Sequence, residues 1–238
     1  MWDLTGRTAL VSDVSVEFGG AISRALARAG AFVLVKHGGQ SYEARSLVDE
    51  IRRYGGKADG IRSGGQGRSD ATTLGVRARE ISGRGIDVLV QSLASGSEHE
   101  TDCMTLQLLD RSTGVDIVAP CRLLDEIVPA LEPEASIVLV PPLGEHPPRH
   151  RSVDVLNSSI HPLVRKLSTR LGATAVRVNA VSAQSPRTYG LVSISRSKWA
   201  SAAETQARDV ATVVTFLASR CSRRVDGKVL DVDSIIGL

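Results

Sequence analysis

The stretch "VSDVSVEFGGAISRALARAGA" (11–31) sets a short apolar run against the start of a helix, with Gly19 and Gly20 at the junction and two acids, Asp13 and Glu17, just before them. The N-terminus of a helix offers unpaired amides and the positive end of the helix dipole, so it attracts an anion. Here the chain brings its own. Either Asp13 and Glu17 cap the orphan amides themselves, or both stand in solvent as first-turn acids while a phosphate binds by a shifted loop. A second group is Glu145, His146 and His150 in "PPLGEHPPRHRS" (141–152), which holds four prolines in twelve residues. Proline donates no ladder hydrogen bond, so this stretch reads as an irregular loop. An imidazole there has the right range to act as an acid near neutral pH. The same three side chains lack the helical or strand spacing that orients metal ligands in advance, and no metal is expected.

The remaining reactive side chains read as bland. Cys103, Cys121 and Cys221 are odd in number, far apart and without CxxC spacing, which argues against a disulfide framework and fits a reducing cytoplasm. Cys121 reads as a core residue on an apolar helix, and His161, beside Pro162, as part of a packing surface. Tyr189 and Lys198 lie nine apart in a segment that need not be helical.

The elements that position these groups follow from hydrophobic period. "TALVS" (8–12), "FVLVK" (32–36), "DVLVQS" (87–92), "SIVLVP" (136–141), "VRVNAVS" (176–182) and "VLDVD" (229–233) read as buried parallel strands. Between them, Ala21, Ile22, Ala25, Leu26 and Ala29, then Leu47, Val48 and Ile51, then Leu156, Ile160, Leu163, Val164 and Leu167 recur at helical spacing. Alternation of this kind predicts an α/β fold, a Rossmann-like doubly wound parallel sheet of about seven strands with helices on both faces. In such a fold the 141–152 loop lies at the carboxyl edge of the sheet, over the ligand crevice, and 184–204 is a second candidate lid.

The 238 residues suit one domain spanning 1–238. Hydrophobic residues at 42% and charged residues at 23% are those of a folded soluble protein. The net charge of +3 comes from arginines scattered along the chain, so no nucleic-acid partner is expected. The start of the chain has no leader pattern and no stretch is long enough to span a membrane.

In order and content these pieces resemble the short-chain dehydrogenase/reductase family along the whole chain. The carrying stretches are "LTGRTALVS", "GGAISRALARAGAFVLV", "IDVLVQSLA", "VRVNAVSA" and "VATVVTFLASRCSRRVDGKVLDVDS". "QSLASG" and "VNAVSAQSPRT" look more like the enoyl-thioester reductase branch, whereas the loop before the first helix has the ketoreductase length. The resemblance implies a TGxxxGxG loop around a dinucleotide pyrophosphate; the matching residues are Ser12, Asp13, Glu17 and Gly19, so only the last glycine is kept. Two unit charges about 4 Å apart repel by roughly 4 kcal/mol at an effective dielectric near 20, on the order of a thousandfold in affinity. Other cofactor positions also differ from the family pattern: Gly64 and Gly65 stand for an Asp-Val pair, "QSLA" from Gln91 for NNAG, and "AQ" (183–184) for PG.

The family's tyrosine, lysine, serine and asparagine fall on Val153, Asn157, Pro141 or Pro142, and Asp116. In the enoyl-reductase register the tyrosine position is His150. The expectation is therefore a non-catalytic member, without cofactor, that pairs with itself or with an active short-chain dehydrogenase through helices at 118–131 and 153–171. The motivation for pairing is broad apolar surfaces, Ile117, Val118, Leu123, Leu124, Ile127 and Val128 on one helix and the 156–167 series on the other, part of which must be core because each helix also packs on the sheet, the surplus being the interface candidate. The alternatives are a divergent NAD(P)-dependent ketoacyl, enoyl-thioester or carbonyl reductase using His150, and a non-redox dehydratase or cyclase.

Overall fold

The computed structural model describes residues 2–12, 17–38, 41–63, 68–95, 115–116, 124, 127–140, 151–183 and 196–232. In chain order the elements are β1 (Thr8–Val11), α1 (Glu17–Arg28), β2 (Phe32–Gly38), α2 (Tyr42–Arg53), β3 (Lys57–Ser63), α3 (Arg68–Ser82), β4 (Ile86–Ser92), β5 (Leu131–Val140), α4 (Arg151–Leu171), β6 (Arg177–Ala183), α5 (Arg196–Ala218) and β7 (Val229–Val232). The seven strands form one parallel sheet in the order β3-β2-β1-β4-β5-β6-β7. Among the described residues no helix is long and apolar enough to cross a membrane.

Strand residues alternate between the two faces, and each face is covered. Ala9, Val11, Val33, Val35, Val88, Val90, Val138 and Val140 pack under α1, α2 and α5. Leu10, Leu34, Leu89, Ile137, Leu139 and Val178 pack under α3 and α4. A strand covered on both sides needs apolar residues at consecutive positions, so these strands read as unbroken runs. Helix α1 stops at Gly30, whose φ of +98° takes the chain out of the helix while Ala31 N–H returns to Leu26 O at 3.1 Å. A side chain at Gly30 would meet Thr5 Oγ1 at 2.6 Å. Arg24 on α1 grips Glu50 on α2 with two bonds of 2.8 Å, and this guanidinium holds the Glu50 carboxyl below its ordinary range.

Buried polar residues fasten the base of the sheet. Asp87 accepts from Thr8 N at 2.8 Å and Arg84 at 3.0 Å, tying β1 to β4. Asp226 accepts from Val178 N at 2.8 Å and Ser168 Oγ at 2.7 Å, and Asn179 bonds Val225 O and Lys228 N. At the outer edge, side chains meet three backbone groups of β3: Arg52 donates to Ala58 O at 2.9 Å, Asp59 accepts from Gly60 N at 2.8 Å, and Arg77 donates to Arg62 O at 3.2 Å.

Several sequence expectations are corrected. The helix placed over 118–131 does not reach its end: Val128–Ala130 is a 3-10 turn and Leu131 already opens β5. Pro129 and Pro133 explain this, since each lacks the donor a continuing helix needs. The proline-rich loop placed at 141–152 gives way to α4 from Arg151, and 196–204 of the candidate lid belong to α5. His161 is exposed on the chain by itself rather than packed. As expected of segments that also pack on the sheet, Leu124, Ile127, Ile160, Val164 and Leu167 lie in the core. From Ile160 onward the outward side of α4 is polar, with Arg165, Lys166, Thr169 and Arg170.

On α1 one buried hydroxyl has no partner among the described residues. Ser23 is 0% exposed and its Oγ makes no hydrogen bond. An unsatisfied buried hydroxyl costs about 1–3 kcal/mol, and alanine is the better helix former. Ser23→Ala is therefore expected to raise the thermal midpoint by about 2–4 °C, read by circular dichroism; a lower midpoint would refute it.

Candidate functional site

In a sheet of this order the chain winds one way from β1 to β3 and the other way from β4 to β7, leaving a crevice between the carboxyl ends of β1 and β4. Ser12 and the pair Gln91–Ser92 form its floor. Ser12 N donates to Val90 O at 3.0 Å, and Ser12 Oγ accepts from Ser92 N at 3.0 Å. Gln91 Nε2 donates to Ser92 O at 2.8 Å, and Leu93 N donates to Val140 O at 2.8 Å. The ends of β1, β4 and β5 are thereby fixed relative to one another. Gln91 is only 5% exposed, and its Oε1 has no donor.

Helix α1 starts beside this floor, at Glu17. Phe18, 1% exposed, anchors its first turn in the core, and Gly19 is buried next to it. At the end of β2 stand Lys36 and His37, both half-buried. A Cβ on Gly60 would lie 3.2 Å from His37 Nε2, so the imidazole rests across β3 where glycine leaves room for it. Sequence reasoning passed over this pair, although a strand whose end carries a lysine and a histidine rather than an acid was visible in "FVLVKHGG".

On α4, Val153 and Asn157 lie one helical turn apart. Asp116 sits in a two-residue strand paired with Ala94, just past the end of β4, so the fold brings its backbone to the same edge as Gln91. Asp13, Gly64, Gly65, Pro141, Pro142, Glu145, His146, His150, Gln184, Cys103, Cys121 and Tyr189 lie outside the described residues.

The family model described as enoyl-(acyl carrier protein) reductase matches residues 17–234. The chain belongs to the short-chain dehydrogenase/reductase family. It is 27% identical to versicolorin reductase stcU of Emericella nidulans, covering 97% of this chain and 95% of that protein. It is 23% identical to the trihydroxynaphthalene reductase of Colletotrichum orbiculare, covering 97% of this chain and 89% of that one. A short-chain dehydrogenase from Burkholderia cenocepacia, solved in complex with NADP, shares the fold with a TM-score of 0.69 at 22% identity, covering 97% of each chain.

These names overturn the expectation of a non-catalytic subunit, because relatives matched over nearly the whole chain are reductases. The expectation of no cofactor has no support either, since the short-chain dehydrogenase/reductase family typically binds NAD(P). The expectation had rested on residue types at Asp116, Pro142, Val153 and Asn157, and residue types at four positions speak for one route of a proton, not for the crevice. The chain's own features fit a dinucleotide. A helix start follows β1, a buried glycine stands in its first turn, and Lys36 and His37 stand near the end of β2. Glu17 at the helix start is the departure from that fit.

Proposed function

We propose that this short-chain dehydrogenase/reductase is an NADP(H)-dependent reductase acting on a ketone carried by a hydroxylated aromatic ring system. The reading rests on a family match that covers 17–234, together with relatives named for reductions of which one is of a trihydroxynaphthalene. The choice of NADP(H) rests on the end of β2. An acid there accepts from a ribose 2′-hydroxyl, whereas a cation meets a 2′-phosphate, and this strand ends in Lys36 and His37.

A bound nicotinamide dinucleotide supplies a hydride to the carbonyl carbon. The chain's part is to hold both molecules over the ends of β1 and β4 and to give the carbonyl oxygen a proton. Val153 and Pro142 cannot do so. His150 directly precedes α4 in the sequence and is assigned the donor role, its imidazolium passing one proton to the oxygen and becoming neutral.

The test is titration of the purified chain with NADPH and NADH, followed by turnover on a hydroxylated naphthalenone and, since the matching model is described as an enoyl-thioester enzyme, on an enoyl thioester. NADPH is expected to bind at least about tenfold more tightly than NADH, because the extra phosphate gains charge-assisted hydrogen bonds. Turnover is expected on the ketone. Binding of neither nucleotide would overturn the reading, and turnover confined to the thioester would overturn the substrate class.

A further inference from the structure

The seven strands are parallel, so the turns that lead into them gather at one end of the sheet, opposite the crevice. Cations collect at both sides of that end. Beside β3 stand Arg28 at the end of α1, Arg53 at the end of α2 and Lys57 at the start of the strand, all exposed. A Cβ on Gly56 would lie 3.3 Å from Ala27 Cβ, so this turn meets the end of α1. Beside β7, the turn after α5 displays Arg220, Arg223, Arg224 and Lys228, also exposed. Among the described residues none of these seven side chains makes a hydrogen bond or ion pair. The nearby acids are mostly engaged: Glu50 with Arg24, Asp59 with Arg52, Asp87 with Arg84, and Asp226 with Val178 N and Ser168. Glu80 and Glu134 stay open there, with Asp49 one turn back on α2, three acids against seven cations. A helix dipole draws cations to its C-terminal end, but the last carbonyls of α5 are already met by Arg7 and Arg177, which leaves the outer arginines in surplus.

Each group has aromatic rings for neighbours. Tyr54, next to Arg53, is 79% exposed, and Trp2 rests on Phe216 in the last turns of α5 with ring centroids 5.5 Å apart, both half-buried. Six inter-strand steps separate β3 from β7, about 30 Å, so a single phosphate cannot meet both groups, whereas a planar anionic surface meets them at once. Rings beside cations are also the composition of a membrane–water boundary. We infer that this end of the sheet is a docking face for a membrane rich in anionic lipid headgroups, with the guanidinium and ammonium groups against the headgroup anions and the rings at headgroup level. The contact lies on the bilayer without crossing it, and it turns the crevice toward water.

The experiment sediments the purified chain with vesicles of phosphatidylcholine alone and of phosphatidylcholine mixed with phosphatidylserine, and titrates it with duplex DNA at the same phosphate concentration. Binding is expected to the anionic vesicles, weaker by at least about tenfold to the neutral ones, and lost as salt screens the charges. Arg220→Gln with Arg223→Gln and Arg224→Gln is expected to weaken binding to the anionic vesicles by at least about tenfold, and Arg28→Gln with Arg53→Gln and Lys57→Gln to do the same from the other side. A third variant, Arg45→Gln with Arg62→Gln and Arg208→Gln, removes as much charge from exposed positions away from this end and is expected to bind as wild type does. All of these side chains are exposed, and circular dichroism confirms that each variant is folded. Equal affinity in the three variants overturns the inference, as does equal binding to neutral vesicles or none to anionic ones. Tighter binding to duplex DNA than to the anionic vesicles overturns it in favour of a nucleic acid.

Discussion

Arg177→Met is expected to cost about 1–3 kcal/mol, a large share of an ordinary protein's stability. Arg177 is 9% exposed on β6, yet the structure shows no carboxylate hydrogen-bonded to it. Its guanidinium donates to Ser222 O and Ser222 Oγ at 3.0 Å, to Leu217 O at 3.2 Å, and to Ser219 O and Val225 O at 3.5 Å. These carbonyls belong to the last turn of α5 and the turn after it, where the helix dipole is negative and no intrahelical donor remains. Arg7 joins from the other side, donating to Ala218 O at 3.0 Å. Burial pushes the Arg177 pKa down, Arg7 adds to the effect, and Asp226 and Glu134 oppose it. A guanidinium stays charged under such pressure, which a lysine would not do as reliably. Methionine fills part of the volume and removes one donor from each carbonyl, although Leu217 O keeps Ser136 Oγ and Ser222 Oγ, Ser219 O keeps Ser222 N, Ser222 O keeps Val225 N, and Val225 O keeps Asn179 Nδ2. Urea denaturation gives the measurement: a midpoint indistinguishable from wild type would refute the argument, and Arg177→Lys should recover only part of the loss.

His150→Ala is expected to lower kcat by about 10²–10⁴-fold while leaving NADPH affinity unchanged, since positioned general acids contribute effects of that size. In the proposed mechanism the protonated imidazole is the donor, so wild-type turnover should fall as pH rises through the imidazole range and the variant should lose that dependence. Val153 and Asn157 offer a control, being one turn apart on α4 as the family's tyrosine and lysine are. Val153→Tyr with Asn157→Lys is expected to restore turnover to the His150→Ala chain. An unchanged kcat in His150→Ala would mean that the proton comes from elsewhere.

The strands were legible because burial on both faces forces runs such as "VLV" into the sequence, and that pattern needs no knowledge of partners. The stretch before β5 was not, because Leu124 and Ile127 carry helical spacing up to the point where Pro129 ends it. Polar residues in the interior were harder still. Arg177 meets Ser222, Asp87 meets Thr8, and Ser12 meets Ser92, each pair joined across tens of residues that only the fold brings together. The stretches "IDVLVQSLA" and "VRVNAVSA" carry the family resemblance, and the structure shows that Asp87, Arg177 and Asn179 within them hold the sheet rather than the substrate. The reaction was misjudged for a related reason. Vacant family positions were read as absence of chemistry, although residue types at Asp116, Val153 and Asn157 speak only for one way of moving a proton.

The contacts of Arg52, Asp59 and Arg77 with the β3 backbone have a consequence for what many copies of this chain do at high concentration. A filament built by strand addition needs two free rims on every copy, one to receive and one to offer. On the β3 rim three backbone groups already have partners in the chain's own side chains, so a further strand would have to displace them, and growth in both directions is disfavoured at that side.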